Sequence, residues 1–207
     1  MAMIVIEDKG QQTNKHELKH IYFESHGIYW ERYPLPCGDY ILCTNEVMDV
    51  IARKQKRGME PKKMDFLGTY SICVDTKKDL QEIIGNVCGR QHERFRDECI
   101  LAKNNGINLY VLIENEDGVK CIDDLEIWEN PRSKIQKWVT EPSGEHRKVL
   151  KYPGATKGTA LAKAMRTMQK KYGVKFLFCA PEESGKMIIK LLKGEVQEIG
   201  RETQKAY

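Results

Sequence analysis

The sequence Tyr70-Ser71-Ile72-Cys73-Val74-Asp75-Thr76-Lys77 decides the fold, because in it an apolar run leads directly into a carboxylate and a lysine. The apolar part, Tyr70 to Val74, is predicted to be a buried strand, and Asp79 is predicted to cap the helix that follows. Side chains at positions i and i+2 of a strand point the same way. Asp75 and Lys77 are therefore expected to share one face.

Two further carboxylates adjoin predicted strands earlier in the chain. Asp8 follows the apolar run Ile4 to Ile6, and Asp39 follows Gly38 at the start of the strand Tyr40 to Cys43. A G-D or a D-x-K sequence by itself is usually structural. The order strand, G-D, strand, D-x-K and helix is much less common, and it justifies asking what these side chains do together.

Together, these side chains predict metal-assisted hydrolysis of a phosphodiester. Asp39 and Asp75 on neighbouring strands would form a hard-oxygen site suited to Mg²⁺ or Mn²⁺, with the Thr76 carbonyl as a neutral ligand. A lysine beside such a metal orients or deprotonates water and offsets the charge that builds on a phosphate. This is the role expected of Lys77.

Helices and strands alternate through the rest of the chain, which indicates an α/β fold with a mixed central sheet flanked by helices. A segment at 53–65 is expected to be an exposed, mobile loop, and 115–157 to be irregular, with a possible short helix at 135–139. Met165 and Met168 are expected in the core. Further helices are predicted at 15–26, 45–53, 80–88, 91–103, 159–172 and 182–193, and strands at 28–32, 107–113 and 174–179. Asn45 is the expected cap of the helix at 45–53.

Composition excludes several classes of protein. Hydrophobic residues make up 41% of 207 residues, which suits one globular core rather than a disordered, collagen-like or membrane protein. The start, Met1 to Ile6, is not expected to be a signal peptide. Seven cysteines without a CxxC pair favour a reducing cytoplasm. His16 and His20 have the spacing of helical zinc ligands, but an exposed helix face is the favoured interpretation.

Charge is unevenly distributed. Residues 131–175 contain twelve Lys or Arg and two Glu, a net charge of +10, whereas 114–129 contain seven acids and one Lys. Clustered cations favour binding of a polyanion such as nucleic acid. Solvated faces, or acidic and basic segments that neutralise each other, are an equally good explanation of charge alone.

The predicted strands and helices that surround Asp8, Asp39, Asp75 and Lys77 resemble the nuclease domain of the XPF/Hef family. This domain is also called the excision-repair cross-complementation group four nuclease domain and is a branch of the PD-(D/E)xK superfamily. The resemblance covers about 4–114 and 158–193 and is strongest to the stand-alone versions of bacteriophages and prophages. It is carried by Ile4 to Asp8, Leu35 to Tyr40, Ile72 to Lys77, Arg94-Phe95, Glu98, Tyr110 to Glu114, the strand Phe176 to Phe178 and the helix Glu183 to Leu192.

The resemblance implies a restriction-endonuclease-like core and an Mg²⁺- or Mn²⁺-dependent endonuclease. Its expected substrate is branched or Holliday-junction-like DNA in phage or bacterial recombination or repair. It makes Asp39 and Asp75 metal ligands, Lys77 the catalytic lysine and Asp8 an accessory carboxylate, and it places Arg94 against DNA. The chain is thus expected to be a single nuclease domain, 1–207, with an irregular basic segment at about 131–157. Its expected location is the cytoplasm of a bacterium or a phage-infected host.

The sequence departs from the family pattern in several places. Asp75 and Thr76 replace the Glu and Arg of E-R-K, Gln81 replaces a final Asp, and Gly10-Gln11 replaces an Arg-Glu pair. Asp39 and Asp75 are also unusually far apart, by 36 residues. The extra length is a basic insertion at about 45–69, which is expected to clamp DNA phosphates through Arg53, Lys54, Lys56, Arg57, Lys62 and Lys63.

Three functional hypotheses follow. The leading one is the active endonuclease, the second is a catalytically silent DNA-binding protein on the same fold, and the third is a protein-interaction module that uses the acidic residues 114–129. Cellular members of the family bind DNA with a tandem helix-hairpin-helix domain, which is not expected here. DNA binding would therefore come from the basic loop at 53–65, the basic segment 131–175 or a homodimer. No membrane contact is expected. Ser184-Gly185-Lys186 lacks the spacing of a phosphate-binding loop, so no nucleotide cofactor is expected either.

Overall fold

The computed structural model of the chain describes residues 3–11 and 16–195. The strands are β1 (Ile4–Asp8), β2 (Tyr29–Tyr33), β3 (Tyr40–Leu42), β4 (Ile72–Lys77), β5 (Asn108–Glu114), β6 (Gln136–Thr140), β7 (His146–Leu150) and β8 (Lys175–Cys179). The helices are α1 (Glu17–Ser25), α2 (Asn45–Gln55), α3 (Leu80–Val87), α4 (His92–Asn104), α5 (Gly158–Tyr172) and α6 (Ser184–Leu192). Short 3₁₀ turns occur at Lys63–Phe66, Asp123–Glu126, Pro131–Lys134 and Pro181–Glu183.

Six strands form one mixed sheet in the order β2-β1-β3-β4-β5-β8. Strand β3 is antiparallel to both of its neighbours, whereas the other pairs are parallel and are joined through helices. The predicted α/β fold with a mixed central sheet is therefore confirmed. Strands β6 and β7 pair separately as an antiparallel hairpin.

Both faces of the sheet are covered, because successive side chains of a strand point to opposite faces. Helices α2, α3, α4 and α5 pack on one face, and Met165 and Met168 of α5 lie in that core as predicted. Helices α1 and α6 pack on the other face, where Val74 and Tyr40 point. Apolar residues thus fill both sides of the strands that carry Asp39 and Asp75.

The predicted secondary structure is wrong at several boundaries. The cap of α2 is Thr44 rather than Asn45, because the Thr44 hydroxyl accepts from the Val47 N–H at 3.3 Å. The segment 53–65 is largely exposed, as predicted, but it is not a loop throughout, since α2 continues to Gln55. A 3₁₀ turn begins at Lys63 and ends at the fully buried Phe66. The expected helix at 135–139 is instead the strand β6.

Two other expectations are also corrected. His16 is 5% exposed and bonds to Tyr40, and His20 stacks on Trp30 with ring centroids 3.9 Å apart, so these residues do not form an exposed helix face. The predicted helix at 15–26 is α1, and its residue 15 lies outside the described residues. Within the described part of the chain, no helix is both long and apolar enough to cross a bilayer.

Candidate active site

Asp39, Asp75 and Lys77 lie together at one edge of the sheet, where β3 begins and β4 ends. Residue Tyr40 pairs with Val74, and the Asp39 N–H donates to the Val74 carbonyl at 2.8 Å. This pairing brings the two carboxylates onto neighbouring strands although they are far apart in the sequence. Asp39 is 6% exposed, Asp75 3% and Lys77 5%.

Gly38 makes the tight approach of β3 to β4 possible. Its φ of +71° lies in the left-handed region that favours glycine, and a Cβ there would stand 2.8 Å from the Cβ of Cys73. The Gly38 N–H donates to Glu98 Oε1 at 2.8 Å. The glycine before Asp39 is thus explained by the backbone conformation and by close packing against Cys73.

Asp75 and Lys77 form a buried ion pair. As predicted from strand alternation they share a face: the Lys77 Nζ donates to Asp75 Oδ1 at 2.8 Å and lies 2.6 Å from Oδ2. Burial raises the pKa of Asp75 from its ordinary 3.8 to about 7, and repulsion from Asp39 adds to this rise, while Lys77 opposes it. The carboxylate is therefore poorly neutralised by its one lysine.

Asp39 is held by neutral donors. Both the N–H and the hydroxyl of Thr76 donate to its Oδ2 at 2.7 Å, and the Gln11 side-chain amide donates to its Oδ1. Burial raises the pKa of Asp39, against the opposing effects of Lys77 and Thr76. These two donor contacts of Thr76 orient Asp39, and they do not test the proposed contact between a metal and the Thr76 carbonyl.

Lys77 remains protonated in this site. Burial by itself would lower the pKa of its ammonium, but attraction to Asp75 and Asp39 outweighs burial and raises the pKa above the ordinary value. Its Nζ also lies 5.7 Å from the centroid of the buried Phe95 ring. In this arrangement Lys77 is suited to stabilising negative charge rather than to accepting a proton.

Glu98 is a third carboxylate of the site, and sequence reasoning gave it no role. It lies on α4, three residues after Phe95, and so faces the sheet. Burial and then repulsion from Asp75 raise its pKa, whereas the bond from Gly38 lowers it. Helical spacing from Phe95 is the signal by which it could have been found, but its approach to β3 could not be predicted.

Gln11 connects the site to a buried polar network. Its Oε1 lies 3.1 Å from His16 Nε2, and His16 Nδ1 lies 2.9 Å from the Tyr40 hydroxyl. That hydroxyl donates to Glu7 Oε1 at 3.1 Å. Gln11, which stands where the family pattern has part of an Arg-Glu pair, therefore fixes the orientation of Asp39.

Asp8 lies next to this site, but its carboxylate binds the backbone of the loop before β3. Its N–H donates to the Asp39 carbonyl at 2.7 Å, which places the two residues side by side. Its carboxylate Oδ1 accepts from the Leu35 N–H at 2.8 Å. That contact orders the loop 34–38, and it does not test the accessory metal role expected of Asp8.

The six predicted DNA-binding residues of the insertion lie at the end of α2 and in the turns after it. Five of them are exposed, and Lys54 is half-buried in a 2.8 Å ion pair with Asp65. Lys9 pairs with Glu60 at 3.2 Å, so the insertion borders the loop that carries Gln11. The exposed five are Arg53, Lys56, Arg57, Lys62 and Lys63.

Arg94 lies exposed on α4, where its guanidinium donates to Gln91 at 3.3 Å. Its charge lowers the pKa of Glu98, although burial dominates there. Part of the basic segment 131–175 is neutralised by the acidic stretch, because Arg166 binds Asp123 and Glu126 at 2.7 and 2.6 Å. Neutralisation of basic by acidic segments is therefore confirmed for part of 131–175, and polyanion binding stays a prediction.

The residues of the site fit a hard divalent cation. Asp39 and Asp75 are buried and Glu98 is half-buried, all three have raised pKa values, and the cation placed among them is Lys77. Excess negative charge of this kind is relieved by a cation with oxygen ligands. Across 3–11 and 16–195, however, no three His, Cys, Asp or Glu side chains already stand in a metal-binding cluster.

Comparison with known proteins identifies a family and a shared fold. The family described as the ERCC4 domain matches residues 8–191. XPF from Aeropyrum pernix is similar at 14% identity and a TM-score of 0.51, with 97% of this chain and 69% of that chain covered. XPF from Aeropyrum pernix in complex with DNA is similar at 15% identity and the same TM-score, with 95% and 66% covered. No curated protein matches the sequence.

Proposed function

Because the chain belongs to the ERCC4 domain family, we propose that it is a DNA nuclease that hydrolyses phosphodiester bonds with the help of Mg²⁺ or Mn²⁺. One observation carries this proposal: Asp39, Asp75 and Lys77 meet at one edge of the sheet, buried and incompletely neutralised. Such groups are placed to hold a cation against a phosphate and to stabilise the charge of its transition state.

Asp39 and Asp75 would hold the metal, with the Thr76 carbonyl as a further ligand and Asp8 as an accessory carboxylate. A bound divalent cation supplies Lewis-acid polarisation of the phosphate and a lowered pKa for water. Thr76 and Gln11 keep the Asp39 carboxylate in one orientation through their bonds to its two oxygens. Glu98 adds negative charge to the same site and ties it to Gly38.

With its side chain in the ammonium form, Lys77 would stabilise the phosphate and orient the attacking water. Its raised pKa, caused by Asp75 and Asp39 against the effect of burial, makes it a poor base at neutral pH. A cation at Asp75 would weaken the ion pair that now holds Lys77 and leave its Nζ available to a phosphate oxygen. This assigns charge stabilisation to Lys77 and leaves deprotonation of water to the metal.

DNA binding beside the site would use the basic insertion at 45–69 and Arg94. The pair Lys9–Glu60 supports this, since it holds the insertion next to the loop of Gln11. We further propose that 1–207 acts as a single nuclease domain, that its substrate is branched or junction-containing DNA, and that a homodimer binds it. A stand-alone enzyme of phage or bacterial recombination or repair fits this description.

A catalytically silent DNA-binding protein is the second candidate. Two observations favour it: Lys77 contacts both oxygens of Asp75, and no three-residue metal cluster stands ready among the described residues. Mn²⁺ distinguishes the two candidates, because a ligand that binds only the folded state raises the melting temperature. A shift that depends on Asp75 supports the nuclease, whereas its absence with intact DNA binding supports the silent protein.

Cleavage of a labelled panel tests the proposal directly. Linear duplex, flap, fork and four-way junction are incubated with the protein and Mg²⁺ or Mn²⁺. We expect cutting of a branched substrate, a loss of at least 100-fold in Asp39→Asn and Lys77→Met, and unchanged cutting in Lys78→Ala. Lys78 is the matched control because it is the exposed neighbour of Lys77. Cutting by Asp39→Asn at the wild-type rate would remove the site from the mechanism.

A further inference from the structure

We propose that the β6–β7 hairpin is a DNA-binding ribbon that enters the major groove of the duplex next to the cleavage site. This inference rests on the proposed function, because it assigns the ribbon to the same substrate. The sequence predicted only an irregular basic segment at 131–157, and the structure gives that segment a defined shape. The basic insertion and Arg94 lie elsewhere on the chain, so the ribbon would be a separate contact.

The hairpin stands in solvent on both faces. Eight of its ten strand residues are exposed, and the other two, Val139 and Val149, are only half-buried. Its strands form a two-stranded sheet with the pairing Trp138↔Lys148 at the centre. The major groove of B-DNA, about 12 Å wide, admits a two-stranded ribbon of this kind.

The cations of the hairpin are mostly left for an external anion. Lys134 pairs with Glu129 and Arg147 pairs with Glu141. Within the described ranges no acid lies in ion-pair distance of the other four, and three of these lie over aromatic rings at 5.2 to 5.4 Å. An aromatic ring holds a cation in place without cancelling its charge. The four are Arg132, Lys137, Lys148 and Lys151.

Trp138 supplies an apolar contact between these charges. It is 65% exposed, and Leu150 on the same face is 45% exposed. Large apolar side chains are seldom left in water on an isolated hairpin, which is itself only marginally stable. Apolar side chains in the major groove contact the methyl groups of thymine. Exposed Trp138 among cations therefore fits duplex DNA better than it fits an acidic protein surface.

The base of the hairpin is tied to the candidate active site. Asn130, 4% exposed, accepts from the Gln81 amide at 2.8 Å and donates to the Thr156 carbonyl at 2.9 Å. It thus joins the two chain ends of the hairpin to the first turn of α3, four residues after Lys77. DNA bound by the ribbon would pass close to Lys77 because of this anchor.

Binding without metal tests the ribbon separately from cleavage. Fluorescence anisotropy in EDTA gives the affinity for a labelled DNA duplex over a series of salt concentrations. The test variant is Lys137→Ala/Lys148→Ala, and the control is Lys186→Ala/Lys193→Ala, which removes the same charge from α6 on the opposite side of the sheet. Lys137→Arg/Lys148→Arg checks that a retained charge restores binding if the Ala variant distorts the hairpin.

We expect the test variant to lose at least tenfold in affinity and to lower the salt slope by about two, whereas the control and the Arg variant bind like wild type. Equal affinities of the test and control variants for the duplex would overturn the proposal of a DNA-binding ribbon and would leave the proposed nuclease activity untouched. If the test variant loses affinity but the wild-type protein cleaves no DNA, the proposed nuclease activity is refuted and the proposed DNA-binding ribbon is supported. An equal loss for double-stranded RNA, whose major groove excludes a ribbon, would also overturn the proposal.

Discussion

Raising the pH from 5 to 8 without divalent metal is expected to destabilise the protein through one carboxyl group, that of Asp75. Burial raises its pKa from 3.8 to about 7, so the folded state keeps a proton that the unfolded state releases. A raised carboxyl pKa contributes stability at low pH, and this stability is lost as the pH rises towards 7. The direction is opposite to that of a carboxylate in an ordinary salt bridge.

The magnitude follows from these two pKa values. Each pH unit between them changes the unfolding free energy by up to about 1.36 kcal/mol. Over the range from pH 5 to pH 8 the loss assigned to Asp75 is about 2 to 3 kcal/mol. A saturating divalent cation should reverse it, since a ligand at 100 times its Kd adds about 2.7 kcal/mol.

Urea unfolding in EDTA measures this loss. For each protein, the unfolding free energy at pH 8 is compared with that of the same protein at pH 5. Asp75→Asn leaves Lys77 without its partner and is less stable at both pH values, but its own change with pH should be smaller than that of wild type by about 2 to 3 kcal/mol. Asp97→Asn, an exposed carboxyl on α4, is the control and should keep the wild-type dependence. Parallel pH profiles for wild type and Asp75→Asn would refute the reasoning.

Three further substitutions test other contacts by the same unfolding measurement. Gly38→Ala should cost about 2 to 4 kcal/mol, because its φ is positive and the new Cβ would meet Cys73, whereas Gly118→Ala, with a similar φ and open space, should cost about 1 kcal/mol. Asn130→Ala should cost about 1 to 3 kcal/mol by leaving buried partners unpaired, and no loss would refute its role as an anchor. Arg166→Ala should leave the free energy of unfolding close to that of wild type, since its two ion pairs are exposed, and a clear loss would show that they are not screened by solvent.

Local chemistry made part of the site predictable. Strand alternation was enough to place Asp75 and Lys77 on one face, and the short polar side chain of Asp79 identified the cap of α3, where it accepts from the Glu82 N–H at 2.7 Å. The pairing of β3 with β4 was assumed for the predicted metal site, since no periodicity in the sequence indicates which strands are neighbours. Glu98 and Gln11 were missed because their contacts with Gly38 and Asp39 are tertiary.

The hairpin was mispredicted for a physical reason. A half-buried strand shows alternating apolar and polar residues, but β6 and β7 face water on both sides and show no such alternation. Its conformation is set by cross-strand pairs such as Trp138↔Lys148 and by the turn at 141–145, where Gly144 adopts a φ of +88°. In the segment 53–65 the predicted exposure is confirmed, but the extension of α2 and the 3₁₀ turn were missed, because they depend on the packing of Ile51 and Phe66 into the core.

The direct pairing of Tyr40 with Val74 has a consequence for the length of chain between the two carboxylates. Their separation in space is set by adjacent rungs of one ladder, so it does not depend on the 36 residues of sequence between them. Doubling a flexible connection costs only about 0.6 kcal/mol of closure entropy. The connection could therefore change in length without moving the two carboxylates, provided that the core positions occupied by Val47, Ile51 and Phe66 stay filled.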